Sequence, residues 1–360
     1  MAATGFLFGD TADYYATANI LEKWTNKIEN GGVFTVTSTA ARNGPNGIKQ
    51  QMGDASDFQR FSMLYRTLTP GDPTVLVFNL AFRCPQLDPF ITMPIWAWRD
   101  GGNTQGHLCI QPDGKLIFML GHATSGLVSA SASSQALLAG NFYNVKGIVN
   151  IATGTGGRVR LWINRQAACD VSSLNTAPSG SASWNVFGLG HDIISGIGVF
   201  TIVPAFHYDD IRIRDNDNGV FDAIGIALHA QTGNGAHTDY TPLTGSNHGD
   251  MVKETTEDGD TTINTGSSVN NIDTYAMDDL PGAYSVECVQ SVEVCRKTDA
   301  GDRTAANVQR IGGTDYVGTA YAPNQTYAHM LSPRDTSPAT GVAYTYSEIN
   351  GLESGQKITL

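Results

Sequence analysis

The stretch Phe206-His-Tyr-Asp-Asp-Ile-Arg-Ile-Arg214, followed by Asp215-Asn-Asp-Asn-Gly219, decides the fold. Tyr208, Ile211 and Ile213 are its larger apolar side chains, and Arg212 and Arg214 alternate with the isoleucines, which is the period-two pattern of a half-buried β-strand. The second segment can hydrogen-bond to its own backbone and ends in a glycine that tolerates positive φ, so we predict a surface turn. Because residues 220–228 resume as a strand, the stretch joins two β-rich units, 1–219 and 220–360.

The composition fits β-structure and excludes two classes of partner. The chain has 360 residues, 41% of them apolar, and contains 40 glycines. This is enough apolar material for two domain cores, and abundant glycine favours turns over long helices. Only 16% of residues are charged, and the net charge is −12. We therefore expect no nucleic acid partner and no binding to anionic membranes.

The N-terminus and the cysteines indicate the compartment. Residues 1–10 lack a basic segment followed by an apolar run, so we expect synthesis in a cytoplasm without a signal peptide. The chain has five cysteines without metal-type spacing. Cys288 and Cys295 fall on one predicted strand, on opposite faces and roughly 23 Å apart, too far to form a disulfide. Buried free thiols are favoured over functional ones.

In the first unit the periodicity predicts many short strands. Residues 74–83 are apolar on both faces, as in an inner strand. Residues 108–120 read as a hairpin, because the turn contains Pro-Asp-Gly. Residues 142–151 and 158–163 form another predicted strand pair. A short helix is predicted over 16–27. Short strands at about ten-residue spacing indicate a β-sandwich.

The second unit has fewer clear elements. Residues 231–242 are predicted as a loop, and 284–296 as a long strand whose partner is 303–311. Thr345 and Glu348 have the spacing of a capping box, which predicts a short helix there. Residues 357–360 are predicted as a last strand. This end either docks on another subunit or closes its own domain.

Three segments of the first unit together resemble a known sandwich. They are the hairpin His107-Leu-Cys-Ile-Gln-Pro-Asp-Gly-Lys-Leu116, the strand Arg158-Val-Arg-Leu-Trp-Ile-Asn164 and the closing strand Tyr208-Asp-Asp-Ile-Arg-Ile213. Their order is similar to that of laminin-G and concanavalin-type jelly-rolls. The resemblance covers most of residues 1–214 and implies an all-β jelly-roll for the first unit, followed by a second β-sandwich-like domain with a short C-terminal helix.

A second resemblance covers residues 209–360. Its motifs are Asp209-Asp-Ile211, Asp239-Tyr-Thr-Pro242, Gly259-Asp-Thr-Thr262, Thr298-Asp-Ala-Gly301 and Asp335-Thr-Ser-Pro-Ala-Thr-Gly341. Their order is similar to that in structural proteins of tailed bacteriophages. The resemblance implies a virion component and brings no catalytic residues with it.

The chain departs from that family near its end. The family often has a tryptophan before the final helix, where this chain has Tyr344 and Tyr346. The packing of the helix is therefore not carried over from the family.

No catalytic motif emerges from the residues. Sandwich hydrolases use Glu-x-Asp-x-x-Glu to place two carboxylates on one strand face, and that pattern is absent; no glutamate lies between Glu29 and Glu254. There is no P-loop, nucleophile elbow or Cys-x-x-Cys either. We therefore predict that the chain is not an enzyme and name no catalytic residue; a glycan hydrolase is a weak alternative.

Binding of sugar or metal has to be weighed separately. Trp96, Trp98 and Trp162 can stack on sugar rings, although strand tryptophans are more often core residues. Asp215-x-Asp217-x-Gly219 begins like a calcium loop, but Ile226 occupies the position where such a loop needs glutamate. His229, His237 and His248 lack the regular spacing of metal ligands. We predict no metal and no cofactor.

These observations favour a non-enzymatic structural component on the exterior of a bacteriophage virion, associated with the tail or decorating the capsid. Its partners would be other virion proteins and further copies of itself, because external virion proteins work in symmetric copies. The alternative is a lectin-like module that binds a cell-surface glycan.

Overall fold

The fold is known from a computed structural model, which describes residues 5–52, 61–68, 73–121, 128–190, 205–217, 226–227, 229–254, 258–280, 282 and 285–360. The chain divides into two compact units. Unit 1 comprises residues 1–13 and 24–226, and unit 2 comprises residues 14–23 and 227–360. The predicted boundary at residues 219 and 220, and most of the strand predicted for 220–228, lie outside the described residues.

Unit 1 is built from two antiparallel sheets. In its described part, the larger sheet has the order β13-β12-β11-β6-β15-β4-β3, with β1 also paired to β15, and the smaller sheet has the order β10-β9-β8-β7-β14-β5-β2. The strands are β1 Phe6–Asp10, β2 Asn26–Asn30, β3 Val33–Thr37, β4 Gly47–Gln51, β5 Phe61–Thr67, β6 Val75–Arg83, β7 Met93–Asp100, β8 Asn103–Ile110, β9 Leu116–Leu120, β10 Val128–Ser129, β11 Tyr143–Asn150, β12 Gly157–Ile163, β13 Gln166–Leu174, β14 Val186–Gly190 and β15 Ala205–Arg214.

The core of unit 1 lies between these two sheets. Phe78 of the larger sheet stacks on Trp96 of the smaller sheet, with 4.9 Å between ring centroids, and Trp96 stacks on Phe187 at 5.5 Å. All three side chains are fully buried. Burial of such large rings is a main source of folding free energy. The predicted all-β sandwich is confirmed.

The inner strand predicted for residues 74–83 is confirmed as β6, which lies between β11 and β15. The hairpin β8–β9 and the pair β11–β12 are also confirmed. Gly147 of β11 lies opposite Phe78, and a Cβ atom there would come within 2.1 Å of the phenyl ring. A glycine is therefore required where the ring crosses the neighbouring strand.

The helix predicted for residues 16–27 is wrong in extent. A 3₁₀ turn covers Thr17–Asn19, the helix α1 covers only Ile20–Lys23, and β2 begins at Asn26. Tertiary packing overrides the weak helical pattern. Within the described segments, no helix is both long and apolar enough to cross a lipid bilayer.

Unit 2 contains a five-stranded sheet with the order β16-β19-β24-β21-β22 and two pairs, β17–β18 and β20–β23, among its described residues. The strands are β16 Gln231–Thr238, β17 Thr241–Pro242, β18 Asn264–Thr265, β19 Ile272–Met277, β20 Val289–Cys295, β21 Ala305–Ile311, β22 Thr314–Val317, β23 Ala328–Arg334 and β24 Glu353–Ile358.

Several predictions for unit 2 are wrong in detail. Residues 231–238 form β16, not a loop. The strand β20 starts at Val289, so Cys288 precedes it. Its partner is β23 and not β21, which pairs with β22 and β24. Sequence proximity favoured the nearer partner, whereas the fold joins strands that are more than thirty residues apart.

The C-terminal helix is confirmed as α2, Tyr346–Asn350, with both hydrogen bonds of the capping box between Thr345 and Glu348. It belongs to a small apolar cluster of Leu280, Ile311, Tyr344, Ile349 and Leu352. The last strand, β24, begins four residues before the predicted start at residue 357. It lies between β19 and β21 in the sheet. The chain end thus closes the sheet of its own unit.

Residues 14–23 belong to unit 2 although they precede most of unit 1 in the chain. The rings of Tyr14 and Tyr15 lie 5.9 and 6.1 Å from the imidazole of His329, which is on β23. Glu22 of α1 lies 3.6 Å from the same imidazole. This early segment is therefore part of the packing of a late strand.

Candidate functional site

The candidate site lies on the outer face of the larger sheet of unit 1, the face that points away from the smaller sheet. Along β6, Leu76, Phe78, Leu80 and Phe82 are buried, and Phe78 points into the core. Because successive side chains of a strand point to opposite faces, Asn79 points outward. The same face of β6 carries the buried Val77 and Ala81, so this amide lies in a covered and otherwise apolar part of the strand.

Asn79 belongs to a row of directly opposed residues that crosses four strands. Lys146 of β11 is paired with Asn79 on one side and with Trp162 of β12 on the other. Arg212 of β15 is paired with Asn79 from the opposite side. Directly opposed side chains of antiparallel strands lie about 5 Å apart on the same face. We call Trp162, Lys146, Asn79 and Arg212 the cross-strand row.

The next residues along these strands add charge. Arg160 precedes Trp162 by two residues on β12, and Arg214 follows Arg212 by two on β15, so both share the outer face. The Nζ of Lys146 lies 3.2 Å from Oδ1 of Asp217, and Nη1 of Arg160 lies 3.4 Å from its Oδ2. Lys146, Arg160, Arg212 and Arg214 thus share one face of a chain whose net charge is −12, with Asp217 beside two of them.

The electrostatics of the row centre on Lys146. Its side chain is only 2% exposed. Burial lowers the pKa of this amine, Asp217 opposes that shift, and the positive charges of Arg212 and Arg160 add to it. A cation placed among other cations in a poorly hydrated setting is stabilised by any anion that reaches it.

Asn79 is a buried member of the row. It is 1% exposed, and neither its amide nitrogen nor its amide oxygen has a hydrogen-bond partner among the described residues. Leaving buried polar atoms unpaired costs about 1–3 kcal/mol each. The amide is therefore enclosed with an unpaired donor and an unpaired acceptor in the described part of the chain.

The structure separates the three tryptophans that were considered for sugar stacking. Trp96 and Trp98 are fully buried in the core, as the more common reading of strand tryptophans holds. Trp162 is half-buried on the outer face. Its ring centroid lies 5.7 Å from Nζ of Lys146 and 5.8 Å from Cζ of Arg160, within the range of cation–π attraction.

The other sequence candidates have structural partners. Asp217 pairs with Lys146 and Arg160. His229, His237 and His248 each face an aspartate, Asp278, Asp315 and Asp273, at 3.4, 2.8 and 2.9 Å. The structure records all five cysteines as free thiols, and burial raises the pKa of Cys84 to about 12. Among the residues with a described position, no three His, Cys, Asp or Glu side chains converge as a metal site.

Unit 2 holds a second polar group, between its two-stranded and five-stranded sheets. Glu293 of β20 accepts hydrogen bonds from the hydroxyl of Tyr321 at 2.5 Å and from the amide of Asn307 on β21 at 2.6 Å. Gln356 of β24 donates to the hydroxyl of Tyr321 at 2.6 Å. Burial raises the pKa of Glu293 to about 7. The carboxylate is already well bonded, so this group explains how the sheets join and not how a ligand binds.

Sequence reasoning missed Lys146, Asn79 and Arg212 as a set. The signal was present in Tyr143-Asn-Val-Lys-Gly-Ile-Val-Asn150 and in Val75-Leu-Val-Phe-Asn-Leu80, where single polar residues interrupt inner strands. Their alignment across the sheet depends on the register of pairs that are 67 and 133 residues apart in the chain. Periodicity gives the face of each side chain but not this register.

Comparison with known proteins extends the description of the fold. No protein-family model matches the chain, and neither does any curated protein. Among solved structures, an alginate lyase from Aplysia kurodai is 11% identical and aligns over 59% of this chain and 99% of its own, with a TM-score of 0.44. An endo-β-1,4-glucuronan lyase from Trichoderma reesei is 13% identical over 53% and 90%, with a TM-score of 0.41.

A carbohydrate-binding module from Bacillus subtilis is 10% identical and aligns over 52% of this chain and 96% of its own, with a TM-score of 0.32. These similar structures are jelly-roll β-sandwiches that bind or act on carbohydrates. The likeness concerns the fold.

The prediction that the chain is not an enzyme is contradicted by this comparison. The similar structures are mainly polysaccharide lyases, together with a carbohydrate esterase of a Shiga toxin-encoding bacteriophage. The prediction relied on a missing pair of carboxylates, which is the requirement of glycoside hydrolysis. Removal of a proton beside a carboxylate needs a base and a group that binds the carboxylate, so the missing pair does not exclude it.

Proposed function

We propose that unit 1 binds an acidic polysaccharide on the outer face of its larger sheet. The observation that carries this proposal is the cross-strand row, in which an aromatic ring, a lysine, an unpaired amide and an arginine lie side by side. Each member supplies one of the interactions that a sugar acid needs. The row also gives them in a fixed order on a rigid sheet.

The charges select an anionic ligand. Lys146 and Arg212 flank Asn79 and all three are buried, so a carboxylate has to enter this covered face before it meets two cations and one N–H donor. Hydrogen bonds to charged groups contribute about 1.5–3 kcal/mol each. A neutral sugar would offer these cations no charge, so it would gain less from them than an acidic sugar does.

The aromatic member favours a sugar over a small inorganic anion. Trp162 lies beside Lys146 at the end of the row and offers an apolar surface against which a pyranose ring packs. Strand spacing of about 4.8 Å makes the row roughly 14 Å long. Such a length suits several sugar units of a polymer better than a single ion.

A purely structural role for the row fits the amide less well. A structural polar network normally pairs all of its buried atoms. In this row Asn79 leaves a donor and an acceptor without partners in the described part of the chain. That imbalance supports an interaction with a molecule other than the protein itself.

The location of the protein and its partners stay predictions from the sequence motifs. We propose that the chain forms a homo-oligomer on the exterior of a bacteriophage virion, where it contacts other virion proteins and its outer face meets host polysaccharide. Immunogold labelling of intact particles and light scattering of the purified protein test this setting. A monomer that is missing from the particle surface would contradict it.

Calorimetric titration with glucuronic acid oligomers, beside neutral cello-oligosaccharides of equal length, tests the binding proposal. We expect binding of the acidic oligomers only, weakening as salt screens the charges. Lys146→Met should lower affinity roughly ten- to a hundredfold through loss of one charge-assisted contact. Lys115→Met, in the hairpin turn next to Asp113, is the matched control and should change nothing.

Size-exclusion chromatography of the polymer after incubation shows whether binding is accompanied by cleavage. Equal binding of acidic and neutral oligomers, or equal losses in the two lysine variants, would reject the proposed site.

A further inference from the structure

A second row of directly opposed residues crosses the outer face of the larger sheet, at the end of β6. His207 of β15 is paired with Arg83 of β6 on one side and with Lys49 of β4 on the other. The next residue of β15, Tyr208, points into the core, where its hydroxyl lies 2.9 Å from the carbonyl oxygen of Ile95 on the smaller sheet. Because neighbouring side chains of a strand point to opposite faces, His207, Arg83 and Lys49 lie on the outer face.

The two cations of this second row differ from those of the cross-strand row in exposure and in partners. Arg83 and Lys49 are partly exposed, whereas Lys146 and Arg212 are buried. Within the described segments, neither Arg83 nor Lys49 has a carboxylate partner, and the amine of Lys49 makes no hydrogen bond. Two positive charges on strands about 10 Å apart thus lack a counter-charge on a chain whose net charge is −12.

The guanidinium of Arg83 is held in place by three contacts. Its Nε donates to Nδ1 of His207 at 3.1 Å, and its Nη2 donates to the backbone oxygen of Thr39. Its Cζ lies 4.7 Å from the ring centroid of Phe142, within the range of cation–π attraction. Its Nη1 has no hydrogen bond to any described residue. A rigid guanidinium with N–H donors to spare is well suited to bind a carboxylate.

His207 carries no charge at neutral pH. Burial, and then the charges of Arg83 and Lys49, lower the pKa of this imidazole to about 4, against the opposing effect of the Thr39 backbone. The imidazole is therefore a neutral group between two cations. The protein itself does not relieve the repulsion between these cations, whereas an anion bound between them does.

We propose that Arg83 and Lys49 form a carboxylate-binding subsite at this partly exposed end of the outer face, with the half-buried ring of Phe142 beside it as the surface on which a sugar packs. The identity of the ligand rests on the proposed function. Along β6, Arg83 lies four residues from Asn79, which is roughly 13 Å. A single sugar acid cannot reach both rows. A polymer can hold both at once, so its second contact becomes intramolecular and adds affinity.

A purely structural role accounts for Arg83 but not for Lys49. Arg83 joins β15 to the 3₁₀ turn that contains Thr39. Lys49 lies on β4 between β3 and β15, so it does not protect a sheet edge, and no described group pairs with its amine. Substitution of Lys49 therefore removes a positive charge from the subsite without removing a polar contact of the fold.

The experiment measures the dissociation constants of a glucuronic acid hexamer and of the monomeric acid for the wild-type chain and its variants. We expect Lys49→Met to weaken binding of both ligands about tenfold, and Lys49→Arg to stay within about twofold of wild type. Lys146→Met should weaken binding of the hexamer only. Lys27→Met is the matched control, because Lys27 also lies on a strand but its amine pairs with Glu29 at 2.8 Å; it should leave both constants unchanged.

The NMR signals of the His207 ring, assigned with His207→Gln, test the subsite without substituting either cation. At neutral pH the hexamer and the monomeric acid should both shift these signals, and the signals of His248 in unit 2 should stay in place. Acetate at equal ionic strength carries the same charge but has no ring to pack on Phe142. It should shift the His207 signals far less, and equal shifts by acetate and the sugar acid would overturn the assignment to a sugar.

The outcomes separate this subsite from the cross-strand row. Without ligand, Lys49→Met should melt at or above the temperature of the wild type, because it loses a repulsion and no polar contact. If Lys146→Met weakens hexamer binding while Lys49→Met does not and the His207 signals stay in place, the proposed function stands and this inference alone is overturned. If only Lys49→Met weakens binding, the subsite stands and the cross-strand row is not the binding site. A wild-type chain that binds neither acid rejects both.

Discussion

In unit 1 the space between the sheets is filled by stacked aromatic rings, whereas in unit 2 the strands β20 and β21 meet through a carboxyl, a phenol and two amides. Phe78, Trp96 and Phe187 have no titratable atom. Glu293, by contrast, is bonded between the two sheets of unit 2 with its pKa raised to about 7. The same architecture is thus held by forces that respond differently to pH.

The comparison also shows where each unit keeps its polar residues. Unit 1 places them on the outer face, and this is where the cross-strand row lies. Unit 1 also has a carboxyl group with a raised pKa, that of Asp209, which is on β15 next to a bulge. Burial, and then the charge of Asp210, raise this pKa to about 7. Unit 2 uses its polar residues to join sheets. The polar residues of unit 1 are thus buried on the outer face of a sheet, whereas those of unit 2 lie between sheets.

The largest expected effect comes from removing the aromatic layer. Trp96→Ala should destabilise unit 1 by about 3–5 kcal/mol through lost burial and the cavity left behind. All five tryptophans of the chain lie in unit 1, so fluorescence during urea unfolding reports this unit alone. Trp162→Ala on the outer face is the control and should cost much less. Equal costs would show that unit 1 does not depend on its aromatic layer.

The second prediction concerns the pH dependence of unit 2. Because the folded-state pKa of Glu293 is raised to about 7 from an ordinary value of 4.5, its contribution is full below about pH 4.5 and is lost as the pH rises through 7. Unit 2 should therefore lose on the order of 3 kcal/mol between acidic and mildly alkaline pH. Hydrogen exchange of β20 and β21 measures this loss.

Glu293→Gln should abolish that dependence in unit 2 and leave unit 1 unchanged. Asp209→Asn should reduce the pH dependence of unit 1 and leave that of unit 2 unchanged; part of the dependence should remain, because burial also raises the pKa of Asp210. If Glu293→Gln leaves the pH dependence of exchange in β20 as it was, the carboxyl does not titrate in this range.

The smallest expected effect compares two buried tyrosines that differ in one acceptor, because the hydroxyl of Tyr208 also lies 2.9 Å from the carbonyl oxygen of Ile95. Tyr208 in unit 1 and Tyr344 in unit 2 are both buried, and each hydroxyl lies close to the Oε1 of a buried glutamine, Gln50 at 2.9 Å and Gln309 at 2.8 Å. Replacing either tyrosine by phenylalanine should cost about 1–2 kcal/mol, because the glutamine oxygen is left unpaired. Denaturant unfolding of both variants checks this. A large difference between them would mean that the surroundings, and not the bond, decide the cost.

The sequence was sufficient for elements whose partners are close in the chain. The hairpin β8–β9 and the pair β11–β12 follow from turn residues between apolar runs, and the capping box places α2. These features depend on interactions between residues a few positions apart, which composition and spacing reveal directly.

Features that depend on residues far apart in the chain could not be predicted from the sequence. The pairing of β20 with β23 and the alignment of Lys146, Asn79 and Arg212 depend on register between distant strands. A core is predicted from the periodic spacing of apolar residues. The interior of unit 2 contains polar residues, which do not produce that pattern. Glu293 is indistinguishable in the sequence from an exposed glutamate, because its burial depends on Tyr321 and Asn307 being present.

The early segment at residues 14–23 has a consequence for the order in which the chain is made. It leaves the ribosome before nearly all of unit 1, yet its partner strand β23 is made about three hundred residues later. Contacts that close so long a loop form late. Until then Ile20, which is buried in the folded protein, is exposed on the nascent chain. A shortened gene product that ends near residue 226 would keep this apolar segment exposed permanently, and would be prone to aggregate for a reason unrelated to the stability of its own sandwich.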